Sequence, residues 1–253
     1  MSDEMQGVQM EGLSRQESEQ TVSVLVEGQA FKINKRLLFR RVPVLSNHRF
    51  PLPFNVDVQT FDAFLDWLHE DKLPALHGIY HEDSGKFTYA GYNPDALYRL
   101  VTHLELGALA DNIMDCIAKA HVSVGVGFSK DEITKIYIEQ DPHWGLALFT
   151  AYWIHLEDTR PNDYMKVTTK ADREDLLNNE TIAIDVRLLR GPLYVGSHTK
   201  CRYHLHNFNA DGTCPRAHST DICLWVMNKD GDMEDMQSWR TKKFLDPVQT
   251  QSD

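Results

Sequence analysis

Apolar and polar positions alternate as soon as the chain turns apolar at residue 21. Val22, Val24 and Val26 share one side of an extended run, the period of two that a half-buried strand requires. Glu27-Gly28-Gln29 interrupts the run as a turn, and Ala30-Phe31-Lys32-Ile33 resumes it. The pattern predicts a β-hairpin. "NKRLLFRRV" then changes to a helical period, with Asn34 in N-cap position and Pro43 just beyond the end. "RFPLPF" returns to extended character, and its prolines mark a sheet edge or a strand end. In "DVQTFDAFLDWLHEDKLP", Phe61, Phe64, Leu65 and Leu68 fall at i, i+3, i+4 and i+7, one face of a helix capped by Asp57 or Thr60 and closed before Pro74.

Residues 75–93, rich in Gly, His and Asp, show no clean period and are expected to form a long loop. Pro94 opens a helix with Leu97, Leu100, Val101 and Leu104 on one face, ending at Gly107. A second helix follows at once, with Leu109, Ile113, Cys116, Ile117 and Ala120 aligned, and so short a joint predicts an antiparallel helical hairpin. "VSVGVGFS" breaks the helical run and sets the expected boundary of a first domain. Beyond it, Ser129 caps a further helix. Asp141 and Pro142 start another, with Phe149, Tyr152, Trp153 and Leu156 on one face, and residues 172–189 read as one helix ended by Gly191-Pro192. "DICLWVM" is a short apolar run, and Asp230-Gly231-Asp232 reads as a turn. Residues 1–20 and the stretch 229–253 are expected to be flexible, being acidic or poor in apolar groups.

Charge narrows the function classes. The 253 residues carry a net charge of −11, and basic residues cluster no further than pairs such as Arg40-Arg41 and Lys242-Lys243. Neither nucleic acid nor an anionic membrane is an expected partner, because both are held by clustered Lys and Arg. No stretch approaches the ~20 apolar residues of a membrane span, and the N-terminus has no apolar signal segment. An intracellular location, cytoplasmic or nuclear, is expected, and Cys116, Cys201, Cys214 and Cys223 are expected to stay reduced.

Residues 21–121 resemble the BTB/POZ domain of the fungal type. The likeness lies in an order of segments: the hairpin "VSVLVEGQAFKI", then "NKRLLFRRVPVLS", then "FPLPFNVDVQTF" running into "FDAFLDWLHEDKLP", and the paired helices "ALYRLVTHLELGALADNIMDCIAKA". The chain departs from the family where an Asp, a His, and a Ser and Phe are usual; it has Thr21 or Ser23, Asn34, and Val42 and Leu45 there. In dimeric members, polar groups at such places line the dimer interface. "DEITKIYIEQDPHWGLALFTAYW" is similar to the helical extension that follows this domain in fungal proteins. The resemblance implies an α/β fold, a small β-sheet covered by helices, followed by a mostly helical C-terminal region over 129–228. It implies a protein–protein interaction module acting as scaffold or adaptor, forming a homo- or hetero-dimer through the BTB-like domain. Adaptors of this family also offer cullin scaffolds a surface near residues 54–104, which makes a substrate adaptor of a cullin-RING ubiquitin ligase the alternative.

Catalytic motifs are not found: the sequence has no G-x-S-x-G elbow, no P-loop and no dinucleotide fingerprint. No enzyme activity and no catalytic residue are expected. One stretch carries metal-ligand chemistry, "CRYHLHNFNADGTCPRAH". Cys201 and His204 form one pair and Cys214 and His218 a second, with the turn Asn209–Gly212 between them. Four N and S donors are what structural zinc takes. His206 or Cys223 is an alternative ligand, and a zinc-stabilised module or zinc-dependent enzyme is the reading of another class. The bland account is reduced cysteines acting as small apolar residues beside histidines on a polar surface.

Overall fold

The computed structural model describes residues 20–139, 145–159, 167–189, 203–205 and 221–239. The fold is mixed α/β, with two small sheets and helices around them. The chain divides into two compact units. The first takes the chain up to Pro74 together with Leu100–Leu106, and the second takes Ala75–Arg99 and the chain from Gly107 onward. Those cuts differ from the expected boundary after His121, which lies inside a continuous helix.

In the first unit, β1 (Thr21–Val26) and β2 (Gln29–Asn34) form the expected antiparallel hairpin, with Val26 opposite Gln29. The two loop residues Glu27 and Gly28 have φ of 45° and 80°. Positive φ at both central positions is the twist-matched hairpin turn, and Gly28 takes it without a Cβ penalty. Helix α1 (Lys35–Arg41) starts where the Asn34 side chain accepts from the Leu37 N–H at 2.9 Å. A 3₁₀ turn (Pro43–Asn47) leads to β3 (Leu52–Phe54), which lies parallel to β1 at the edge of the order β2-β1-β3. Helix α2 (Val58–Glu70) is capped by Asp57 and stops at Asp71 in the left-handed conformation. Its face buries Phe61, Phe64 and Leu68 among Phe31 and Phe54, with Phe31 and Phe61 edge to face at 4.9 Å. Arg41 lies over the Trp67 ring and pairs with Asp71, fastening the end of α2 to α1.

The second unit corrects the expected loop at 75–93. β4 (Leu76–His81) and β5 (Lys86–Ala90) form an antiparallel hairpin, and β4 pairs on its other side, in parallel, with β6 (Ile222–Met227). β7 (Met233–Asp235) completes the order β5-β4-β6-β7. Leu76, Gly78 and Tyr80 face inward and His77, Ile79 and His81 outward, so the period of two is present. Glycine at a core position and histidines outside obscure it in the sequence. Helix α3 (Pro94–His103) begins on an Asn93 cap, and α4 (Gly107–Val124) lies against β4 and β6. α4 buries Ala110, Met114 and His121 besides the predicted face, so it is buried on more than one side.

Helix α5 (Lys130–Glu139) opens on Ser129, whose hydroxyl and backbone N–H both donate to Glu132, a capping arrangement. The expected start of the next helix at Asp141 and Pro142 lies outside the described residues; α6 is described over Gly145–Thr159. The single helix expected at 172–189 is two, α7 (Lys170–Asn178) and α8 (Glu180–Leu189). Asn179 breaks it, because its side chain accepts from the N–H groups of Thr181 and Ile182 and so starts a new helix. Tyr137 donates to Asp185 at 2.6 Å, and Arg173 bonds Glu157 and the Thr168 carbonyl. The first joins α5 to α8 and the second α6 to α7.

The expected flexible stretch from 229 is also corrected over its described part. Asn228 caps the turn to β7, and Met236 and Trp239 are buried in a core with Tyr80, Val124, Val126 and Val226. Two large apolar side chains, spaced to return to the sheet, outweigh the acidic turn before them. Among the described residues beyond 129, helices α5 and α6 and the pair at 170–189 are followed by the strands β6 and β7.

Candidate functional site

Of the zinc set, His204 alone is described; Cys201, Cys214 and His218 lie outside the described residues, as does His206. His204 is buried, and its Nε2 lies 2.8 Å from Asp115 Oδ1. The next residue, Leu205, donates its backbone N–H to Asp111 at 2.6 Å. Asp111 and Asp115 stand one turn apart on α4, so one face of that helix grips two consecutive residues. Tyr203 packs edge to face on Phe149 at 5.0 Å. A carboxylate holding a buried imidazole is a charge-assisted bond when the ring is protonated, and it fixes the 203–205 segment on α4. Asp111 and Asp115 were not singled out from the sequence. The signal was two carboxylates at i and i+4 on a helix that also carries Leu109, Ile113, Met114 and Ile117.

The alternative ligand Cys223 sits on β6 opposite His77 of β4. Among the described residues, no three His, Cys, Asp or Glu side chains stand close enough to hold a metal ion.

Two further groups come from helix packing that the sequence did not display. The His121 ring is stacked on Phe128 at 4.1 Å and flanked by Phe87 at 5.1 Å. Its Nδ1–H donates to the Val126 carbonyl at 2.8 Å. Burial brings its pKa down to about 4, against that hydrogen bond, so the ring is neutral at pH 7 and acts as a core aromatic with one donor. Near it, Tyr89 Oη and Asp95 Oδ1 are buried and make no hydrogen bond. Burial pushes the Asp95 carboxyl up to about 7, with Glu132 adding to the rise and Arg99 and Lys135 opposing it. Arg99 is engaged by Glu139, so its charge is shared. The Tyr89 hydroxyl is raised well above its usual range by burial first and Asp95 next.

The remaining feature is the outer face of the four-stranded sheet. One cross-strand row runs Thr88, Ile79, Trp225, Asp235, and the next Lys86, His81, Met227, Met233. None of these eight is buried; Trp225 is 37% exposed and Met233 45%. Ile79, Trp225 and Met227 thus lie on the two central strands of this face, with Lys86 on the β5 edge and Met233 and Asp235 on the β7 edge. A contiguous exposed apolar patch ringed by polar groups is the usual mark of a contact surface. Among the described residues, no helix is long and apolar enough to cross a membrane.

No protein-family model matches this chain, and no curated protein matches it.

Proposed function

We propose that this chain is a protein–protein interaction module of the BTB/POZ type, acting as a scaffold or adaptor. The observation that carries this reading is the order of elements in the first unit. A hairpin, a short capped helix, an edge strand parallel to β1 and an amphipathic helix follow one another, in the order of the segments on which the resemblance rests. Asn34, Val42 and Leu45, which stand where the family has polar or aromatic groups, have their own work in the unit. Asn34 caps α1, while Val42 and Leu45 are buried in its core. A partner is thus met through other side chains, and the exposed Asp62 and Asp66 on α2 lie within the surface near 54–104 that such adaptors present.

The test is affinity purification with mass spectrometry from the native host, followed by binding of the purified chain to each recovered protein. At least one protein is expected to bind the isolated chain directly and to bind Asp66→Lys at least tenfold more weakly, a loss of the size expected for a contact residue. A cullin among the bound proteins selects the ubiquitin-ligase adaptor. Failure of every recovered protein to bind directly overturns the reading.

A further inference from the structure

We propose that the exposed face of helix α1, in the first unit, receives a short acidic segment of a partner protein, its carboxylates on Lys35, Arg36, Arg40 and Arg49 and an apolar side chain against Phe39 and Phe50. This surface is separate from the α2 side chains Asp62 and Asp66, and it does not depend on the BTB/POZ reading.

The charges of the first unit are segregated along the chain. Between Glu27 and Asp57 stand Lys32, Lys35, Arg36, Arg40, Arg41 and Arg49, and no acid. Pairs in the sequence become a patch in the fold. Arg36 and Arg40 are one turn apart on α1, and both are exposed. Lys35 lies over the Phe39 ring at 5.7 Å, and the Phe39 and Phe50 rings meet at 5.9 Å between centroids. Arg49, the neighbour of Phe50, is exposed as well. Cations thus border two half-buried rings.

The acids of the unit leave these cations unneutralised. Asp71 pairs with Arg41, Glu27 accepts from the Val58 N–H, and Asp57 caps α2. Asp62, Asp66 and Glu70 on α2 and Glu105 in the returning segment 100–106 are exposed. Among the described residues, none of Lys35, Arg36, Arg40 and Arg49 makes an ion pair.

This arrangement runs against the preferences of the helix itself. Arg36 and Arg40 are like charges at i and i+4. Lys35 and Arg36 stand in the first turn, where a helix favours acids and α1 has none. Local stability does not account for such a cluster, whereas a ligand of opposite charge does.

Size and surroundings select a protein segment over nucleic acid. The seven residues of α1 span about 10 Å. Helix α2, joined to α1 through Arg41, presents Asp66 and Glu70. A continuous phosphate backbone would run on from α1 into that repulsion, and into a chain of net charge −11. A short acidic segment ends before it. Guanidinium forks take carboxylates in bidentate pairs, and the two rings give an apolar side chain its footing.

The probe is a fluorescein-labelled peptide of alternating Glu and Gly around one Leu, alongside its Gln-for-Glu counterpart and a short duplex DNA. Each is titrated with the full chain and read by fluorescence anisotropy. The acidic peptide is expected to bind with a Kd on the order of 10–100 μM at low salt, and more weakly as salt screens the contacts. The Gln peptide is expected not to bind. Arg40→Glu weakens binding about fivefold or more. Lys229→Glu makes the same charge change in the exposed turn after β6 and leaves binding unchanged, which separates the patch from net charge. Arg36→Glu also loses binding but raises Tm by about 1–3 °C, since an acid then stands in the first turn; the loss is therefore read in a folded chain. No binding of the acidic peptide, or an equal loss in Lys229→Glu, overturns the proposal. DNA bound more tightly than the peptide overturns it in favour of nucleic acid. A peptide bound only once Glu17 and Glu19 are changed to Gln overturns it as well, because the chain's own acidic stretch then holds the patch.

Discussion

Asp95 and His121 set opposite slopes in the stability of the second unit. The carboxyl of Asp95 has a folded pKa of about 7, above its unfolded value. The folded state therefore holds the proton longer, and its contribution is complete below pH ~4 and lost as pH rises through 7. Asp95→Asn is expected to raise stability at pH 8 by on the order of 2 kcal/mol, the shift discounted for partial exposure, and to leave it unchanged at pH 4. Urea unfolding at the two pH values checks this; equal effects at both would refute it. His121 runs the other way. Its folded pKa of about 4 lies below the unfolded value, so its contribution is present above pH ~6.5 and lost as pH falls through 4. His121→Phe keeps the stacking on Phe128 but leaves the Val126 carbonyl without its donor. A cost of about 1–3 kcal/mol at pH 7 is expected, together with a shallower loss of stability toward acid. Neither shift was legible in the sequence, because each arises first from burial that only the fold creates. His204 was legible as a residue of interest, but its partner Asp115 was not.

Capping and turn chemistry explain most of what the elements show. Asp57 accepts from the Thr60 N–H at 2.8 Å and the Thr60 hydroxyl at 2.7 Å, and Thr60 is buried. Asp57→Ala is expected to cost about 1 kcal/mol, a fall of about 2–4 °C in Tm for a chain of this size, read by calorimetry. Gly78 is a different case. A Cβ there would lie 2.5 Å from Phe87 Cζ and 2.9 Å from Leu224 Cδ2, since two flanking side chains close over the bare backbone of β4. Gly78→Ala is expected to destabilise by about 1–3 kcal/mol as an overpacked site, and Phe87→Leu in the same chain to recover part of it. Thermal unfolding of the single and double variants distinguishes this from a general loss of strand propensity, which Phe87→Leu would deepen. The hairpin at 21–34, α1, α2 and α5 were readable because their caps and periods are local. The β4–β5 hairpin was not, since Gly78 interrupts its apolar side, and the break at Asn179 was overridden in the reading by the apolar positions on either side of it.

For the molecule as a whole, the charge is −11 with basic residues clustered no further than pairs, and Ile79 and Trp225 stand side by side on the outer face of the second sheet. The short-range signals along the chain were sufficient for a mixed α/β fold with a leading hairpin, for the positions of most described helices and for the apolar faces they bury. Those features depend on residues within a turn or two of each other, and periodicity records them. Tertiary structure alone decided the second sheet, whose parallel β4–β6 pairing joins residues 76–81 to 222–227. It also decided which side of β6 is covered: Leu224 and Val226 go inward, and Cys223, Trp225 and Met227 outward. The alternation of a uniformly apolar "ICLWVM" has no polar side to mark its outer face, so only the helix that lies against it could choose.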